Sequence, residues 1–243
     1  MKELILRYPY LFLNIGTILF PFLLSFDKKV AFWRSWKALV FPMLASASIF
    51  LIWDACFTHW GVWGFNDDYL LGIYILKMPI EEWLFFITIP YACVFVYACL
   101  NAYITRDFLG KYRAQITYVL LIMSALILIF NWEKAYTSWT AVGIIVWLGT
   151  LWFVHKPSWL GRFYLSWLVC MIPFALVNGV LTALPVVWYN DLENLDVARL
   201  GTIPVEDPFY GMLLLLMNIS LFEWFNRYVF RNANPIQDTY VQS

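Results

Sequence analysis

Seven stretches of this chain each run for fifteen or more residues without a charged side chain: Tyr8–Phe26, Ala38–Trp53, Trp83–Thr105, Ala114–Trp132, Ala135–Val154, Phe163–Asn190 and Pro208–Phe222. A bilayer's hydrocarbon core takes an apolar helix of roughly 20 residues. Only helices and closed barrels satisfy every backbone polar group there. Hydrophobic residues make up 63% of the 243, and charged residues 13%. A soluble domain carries about 25% charged residues. The expected architecture is therefore all-α, a polytopic membrane helix bundle of about seven transmembrane helices. The second and seventh runs are short for a span. Six helices with one long hairpin is the competing count, because only Glu133-Lys134 separates the fourth run from the fifth.

Charge and cysteine usage exclude other classes. The formal net charge is zero, from 16 basic and 16 acidic residues, and no basic tract offers a nucleic-acid surface. The cysteines (Cys56, Cys93, Cys99, Cys170) form no CxxC and no disulfide framework. The first apolar run lacks a small-residue cleavage site and reads as a retained helix. No glycine-rich nucleotide loop is present, and no cofactor or metal is expected. Basic residues set the orientation. With seven helices the amino-terminal side holds Lys2, Arg7, Lys77, Lys134 and Arg199, and the opposite side holds the other eleven. The basic side faces the cytoplasm, so the N-terminus is expected outside and the C-terminus inside, in a bacterial cytoplasmic membrane.

The chain repeats itself. Pro79-Ile80-Glu81-Glu82 recurs as Pro204-Val205-Glu206-Asp207, 125 residues on. Upstream, Trp63-Gly64-Phe65-Asn66-Asp67 recurs as Trp188-Tyr189-Asn190-Asp191 if one residue is deleted. Helices one to three then map onto helices five to seven. An offset of four helices is even, so the expectation is two parallel three-helix repeats joined by a linker helix. The boundaries are 1–110 for the first repeat, 111–134 for the linker, 135–230 for the second repeat and 231–243 for a polar tail. Both acidic motifs then lie on the amino-terminal side. Six helices would put them on opposite sides.

Proline and acids at a helix start need no functional explanation, since both suit a helix N-terminus. Two acids per motif are more than the dipole requires, and each ionisable group costs about 2.5–3.5 kcal/mol at mid-bilayer, less towards its edge. Successive helical residues diverge by about 100°. One acid of each pair therefore faces into the bundle and the other faces a neighbour or the rim. Trp63, Phe65, Phe85, Trp188 and Tyr210 lie near the motifs, and an aromatic face stabilises a cation by about 2 kcal/mol or more when desolvated. Acids beside aromatics suit carbocation chemistry on an alkene; an interfacial aromatic belt is the plainer explanation. Asp54, Asn66, Asp67, Asp68, Asn190, Asp191, Glu193 and Asp196 raise a rival, Mg²⁺ holding a diphosphate. Only Lys77 and Arg199 are available in the two long loops to assist it. Asn178 is expected to bond across helices.

The paired P-x-E-[ED] motif, each copy preceded by W-x₁₋₂-N, in a small aromatic-rich polytopic chain resembles the lycopene cyclase domain family, with both halves of a heterodimeric enzyme fused. The resemblance implies a redox-neutral cyclisation of the acyclic ψ ends of lycopene to β-ionone rings, giving γ-carotene and β-carotene. It implies a carotenoid substrate within membrane lipid, and other enzymes of carotenoid biosynthesis as candidate partners. By analogy the catalytic residues are Glu81, Glu82, Glu206 and Asp207. Glu81 or Glu206 is expected as proton donor, with Glu82 and Asp207 tuning it or acting as base. Trp63, Phe65, Asn66, Phe85, Trp188, Asn190 and Tyr210 are expected to line the substrate site. The alternatives are a cyclase or prenyltransferase on another isoprenoid, and a small transporter or carotenoid-binding scaffold.

Overall fold

The computed structural model describes residues 2–195 and 199–231; Asp196 and the tail beyond 231 lie outside the described residues. Among the described residues eight α-helices follow one another: α1 (Lys2–Arg7), α2 (Pro9–Leu24), α3 (Trp36–Trp60), α4 (Ile80–Tyr103), α5 (Arg113–Phe130), α6 (Ala135–Thr150), α7 (Leu160–Ala183) and α8 (Asp207–Arg231). A π-helical turn over Leu151–His155 extends α6. Six helical segments are long and apolar enough to cross a membrane, and the apolar α2 is shorter at 16 residues. The chain is an integral membrane protein.

The two runs that looked short are not. Both α3 and α8 have 25 residues. Asp54 ends the second run in the sequence but sits buried within α3, so its charge does not end the helix. In α8, Glu223 and Arg227 likewise lie within helical residues. The fourth and fifth runs are separate helices: α5 and α6 are joined by the turn at 131–134 and pack on each other.

Among the described residues, three two-stranded ladders sit at the helix ends. Strands β1 (Trp63–Phe65) and β4 (Val187–Tyr189) pair antiparallel, with Gly64 opposite Trp188. The hairpin β2 (Tyr74–Ile75) and β3 (Met78–Pro79) precedes α4. A matching hairpin, β5 (Arg199–Leu200) and β6 (Ile203–Pro204), precedes α8. Because β1 pairs with β4, the two long loops meet at one end of the bundle.

Hydrogen bonds in the two halves correspond at fixed spacings. Asn66 N–H donates to the Val186 carbonyl and Asn190 N–H to that of Val62, each at 2.9 Å. The Asn66 and Asn190 Oδ1 atoms accept from the N–H groups of Asp68 and Leu192, both at 3.1 Å. These relations hold at 124 residues, not 125. Gly64 thus corresponds to Trp188 and Trp63 to Val187, which corrects the Trp63–Trp188 equivalence expected from the sequence. The 125-residue spacing begins at the hairpins, where Tyr74↔Pro79 matches Arg199↔Pro204. The extra residue falls between Leu195 and Arg199.

The helix contacts follow the same correspondence. α2 packs on α4 and α6 on α8, while α3 packs on α8 and α7 on α4. α8 is central. Every residue from Met212 to Ser220 is buried, as expected of a helix enclosed on all sides. α5 lies outside, burying only Thr117, Leu120 and Ser124.

Candidate active site

A cavity of about 460 Å³ opens among α2, α4, α7 and α8 beneath the β1–β4 ladder. That size is ordinary for a small-molecule site, typically about 300–1,000 Å³. Its upper end is lined by Tyr10, Asp54, Trp63, Phe65, Glu82, Phe85, Tyr136, Asn178, Tyr189, Asp207 and Tyr210. Below these, the wall is apolar and runs along α4 from Glu82 to Val96. At 1.5 Å per residue that is roughly 20 Å. Phe20 on α2 and Leu176 on α7 also line the cavity and are 67% and 69% exposed. The cavity therefore opens sideways, between α2 and α7, onto the face a bilayer covers.

The acids of each motif divide as helical geometry demands. Glu82 and Asp207 line the cavity, and Glu81 and Glu206 do not. Glu81 is fully buried and its Oε1 accepts the Leu71 N–H at 2.7 Å. Glu206 Oε1 accepts the Leu195 N–H at 2.7 Å and the Thr137 hydroxyl at 2.5 Å. Each first acid thus ties its preceding loop down over the site. Pro79 is the N-cap of α4, in extended conformation, and places both acids in the first turn. α8 begins two residues later in its repeat, at Asp207, with Pro208 in its first turn.

The two cavity-facing acids have different company. Glu82 Oε2 accepts the Tyr10 hydroxyl across from α2, and the Asp54 carboxyl of α3 lies beside it. Asp207 Oδ1 accepts the Tyr136 hydroxyl at 2.6 Å, while Oδ2 accepts Asn178 Nδ2–H at 2.7 Å and the Tyr189 hydroxyl at 2.9 Å. Tyr10 and Tyr136 play corresponding parts from α2 and α6. Burial, and then the nearby Asp207 carboxyl, holds the Tyr189 phenol well above its ordinary pKa. Tyr189 is therefore a neutral donor at physiological pH. Asn178 bonds across helices as expected, and its partner is Asp207.

Among the aromatic and amide residues expected at the site, Trp63, Phe65, Phe85 and Tyr210 line the cavity. Asn66, Asn190 and Trp188 are absent from its wall. The two asparagines fold their side chains back onto the turn that follows each strand. Trp188 is 46% exposed and lies over Gly64, whose missing Cβ leaves room for the indole. The carboxyls that suggested a diphosphate site are dispersed. Asp67 accepts the Tyr74 hydroxyl, Asp191 pairs with Arg199, and Glu193 accepts the Ala135 N–H at 3.0 Å. Among the described residues, no group of three or more His, Cys, Asp or Glu is placed to hold a metal.

Three residues at the centre of the site were not expected there: Tyr10 and Tyr136 are unmarked aromatics within apolar runs, and Asp54 enters the sequence reading only as a candidate Mg²⁺ ligand. Asp54 stands 25 residues before Pro79, where its motif begins, and only the packing of α3 against α4 brings it to Glu82. Its spacing of 124 from Asn178 was a signal that could have found it.

Comparison with known proteins bears on the same residues. The family model described as lycopene cyclase matches residues 7–100 and 133–225. Both acidic motifs, Asp54 and all the upper wall of the cavity fall within those two stretches, while α5 lies between them. No curated protein and no solved structure matches the chain.

Proposed function

The chain belongs to the lycopene cyclase family, and from that membership we propose that it is an intramembrane lycopene β-cyclase in which Glu82 and Asp207 do the acid–base chemistry. The substrate is a hydrocarbon dissolved in lipid. A cavity that opens sideways between two helices, with a long apolar wall, suits its entry from the bilayer. The ψ end comes to rest at the upper end, where the carboxyls are. A carboxylic acid there protonates the terminal double bond, the cation closes the ring, and a carboxylate removes a ring proton. Atoms are conserved and nothing is oxidised.

The observation that carries this assignment is the position of the second acid of each motif in the cavity wall. The donor role expected of Glu81 or Glu206 passes to Glu82 and Asp207, for which only a tuning or base role was expected. Glu81 and Glu206 become the residues that fasten the overlying loops. Trp63, Phe65, Phe85 and Tyr210 surround the cationic centre with aromatic faces, each able to offset part of its charge. The aromatic cluster is continuous: Trp63 meets Tyr136, Tyr189 and Tyr210 edge to face, with centroids 5.1, 6.3 and 6.0 Å away.

Two three-helix repeats in parallel orientation, α2–α4 and α6–α8, with α5 as linker, account for the repeated hydrogen bonds and helix contacts. With the more basic side cytoplasmic, the acid end of the cavity faces outward and the C-terminus inward. The test is pigment analysis in a bacterium that accumulates lycopene. Formation of γ-carotene or β-carotene is expected. Unchanged lycopene beside folded membrane protein would sink the substrate assignment and leave an isoprenoid of another kind.

A further inference from the structure

The cavity-facing carboxyls of the two halves are not surrounded alike. We propose that Asp54 is a third catalytic carboxyl: with Glu82 it holds the proton given to the substrate, and Asp207 takes the one that leaves. This rests on the cyclase assignment and deepens it.

Asp54 is 1% exposed and lies in the cavity wall. Its Oδ1 accepts the Trp63 indole N–H at 2.5 Å, and its Oδ2 lies on the side of the Glu82 carboxyl, with no N–H group bonded to it among the described residues. It faces Glu82 of α4, with Tyr10 of α2 and Tyr210 of α8 nearby. Among the described residues, no lysine, arginine or histidine lines the cavity. Two adjacent carboxyls without a cation repel each other when both are ionised, so such a pair keeps one proton between them.

The other half-site is built the opposite way. The residue 124 positions after Asp54 is Asn178, an amide that donates to Asp207. That spacing is the one shared by the neighbouring backbone: Val62 N–H bonds to the Phe57 carbonyl, and Val186 N–H to that of Leu181, each at 2.9 Å. Asp207 therefore has three donors and no carboxyl facing it from α7, and those donors offset part of the cost of the charge it carries before it accepts a proton. In the proposed cycle one repeat gives the proton and the other receives it.

The cycle balances. The Glu82 O–H bond breaks as a C–H bond forms at the terminal alkene, leaving a tertiary cation. The internal double bond attacks it, forming the ring carbon–carbon bond and moving the positive charge into the ring. A ring C–H bond then gives its electrons to a new double bond and its proton to Asp207. To reset the site, Asp207 gives its proton to water and the Asp54–Glu82 pair takes one from hydronium, so the cycle neither consumes nor releases a proton overall.

The test compares full-length wild type with Asp54→Asn, Glu82→Gln, their double variant and Asn178→Asp, reconstituted with lycopene. Asn at position 54 keeps an acceptor for Trp63 and copies the residue found in the other half, so the fold is expected to hold. Asp54→Asn should still bind lycopene, seen in its absorption spectrum, yet turn over about a hundredfold more slowly with an altered pH–rate profile. The double variant should be no slower than Glu82→Gln alone, because residues that act as a unit are not additive. Asn178→Asp, which places a second carboxyl beside Asp207, should slow turnover even if Asp54→Asn fails to fold. Turnover of Asp54→Asn within about twofold of wild type, with an unchanged pH profile, would overturn the inference and leave the cyclase assignment standing. An unfolded Asp54→Asn beside a fully active Asn178→Asp would overturn it too. A wild type that leaves lycopene unconverted would remove the cyclase assignment, and this inference with it.

Discussion

Neighbouring carboxyls on a helix do different work because successive residues point about 100° apart. In this chain Glu82 and Asp207 face the cavity, while Glu81 and Glu206 hold backbone N–H groups of the loops above. Substitution separates the two roles. Glu82→Gln and Asp207→Asn should each cut carotenoid conversion by at least about a hundredfold, roughly 2.7 kcal/mol in barrier, with lycopene still bound. Glu81→Gln keeps an oxygen to accept the Leu71 N–H and should convert pigment within several-fold of wild type. Glu81→Ala loses that acceptor, and its melting temperature in detergent should fall. If Glu81→Gln proved as inactive as Glu82→Gln, the division of labour would be refuted.

At the level of elements, the β1–β4 ladder closes the top of the cavity and brings the two loops into register. It depends on a glycine: a Cβ at Gly64 would overlap the Trp188 indole. Gly64→Ala should therefore destabilise the fold by about 1–3 kcal/mol, the usual cost of overpacking a well-filled contact. Thermal unfolding in detergent checks the loss. Combining it with Trp188→Ala should recover most of the stability, because the obstacle is then gone. A double variant as unstable as Gly64→Ala alone would show that the indole is not the cause. The same ladder explains why Asn66 and Asn190 repeat so clearly in the sequence: both brace the turns after the strands, and neither touches the cavity.

At the level of the whole molecule, the repeat places both acidic motifs at one end and leaves the cavity open to the side. Single cysteines substituted for Asp68 and Leu192, each in a background free of other cysteines, should both react with an impermeant thiol reagent added outside intact cells. One at Lys111 should not. Labelling of Asp68→Cys and Leu192→Cys from opposite sides would contradict the paired loops. The lateral opening makes a separate prediction. Leu176→Trp, which adds bulk at the mouth, should lower kcat/KM for lycopene by about tenfold or more while leaving the melting temperature within a few degrees. An unaltered kcat/KM would show that substrate enters elsewhere.

The sequence alone determined the membrane bundle, the seven apolar helices, the duplication and the acidic motifs, because each of these is a property of local order along the chain. Hydrocarbon admits few charges, and a duplicated segment keeps its spacing. Helix length was misjudged where one charge interrupted an apolar run, since the sequence does not show that Asp54 is sheltered by packing. The one-residue error in aligning Trp63 with Trp188 had a similar origin. Matching tryptophans outweighed a hydrogen-bond register that exists only once β1 and β4 pair. The tertiary structure decided which acid of each pair meets the cavity, and that Asp54 joins Glu82 while Asn178 joins Asp207. These are contacts between helices far apart in the chain, fixed by how α3 and α7 pack on α4 and α8. No periodicity within a single helix can encode them.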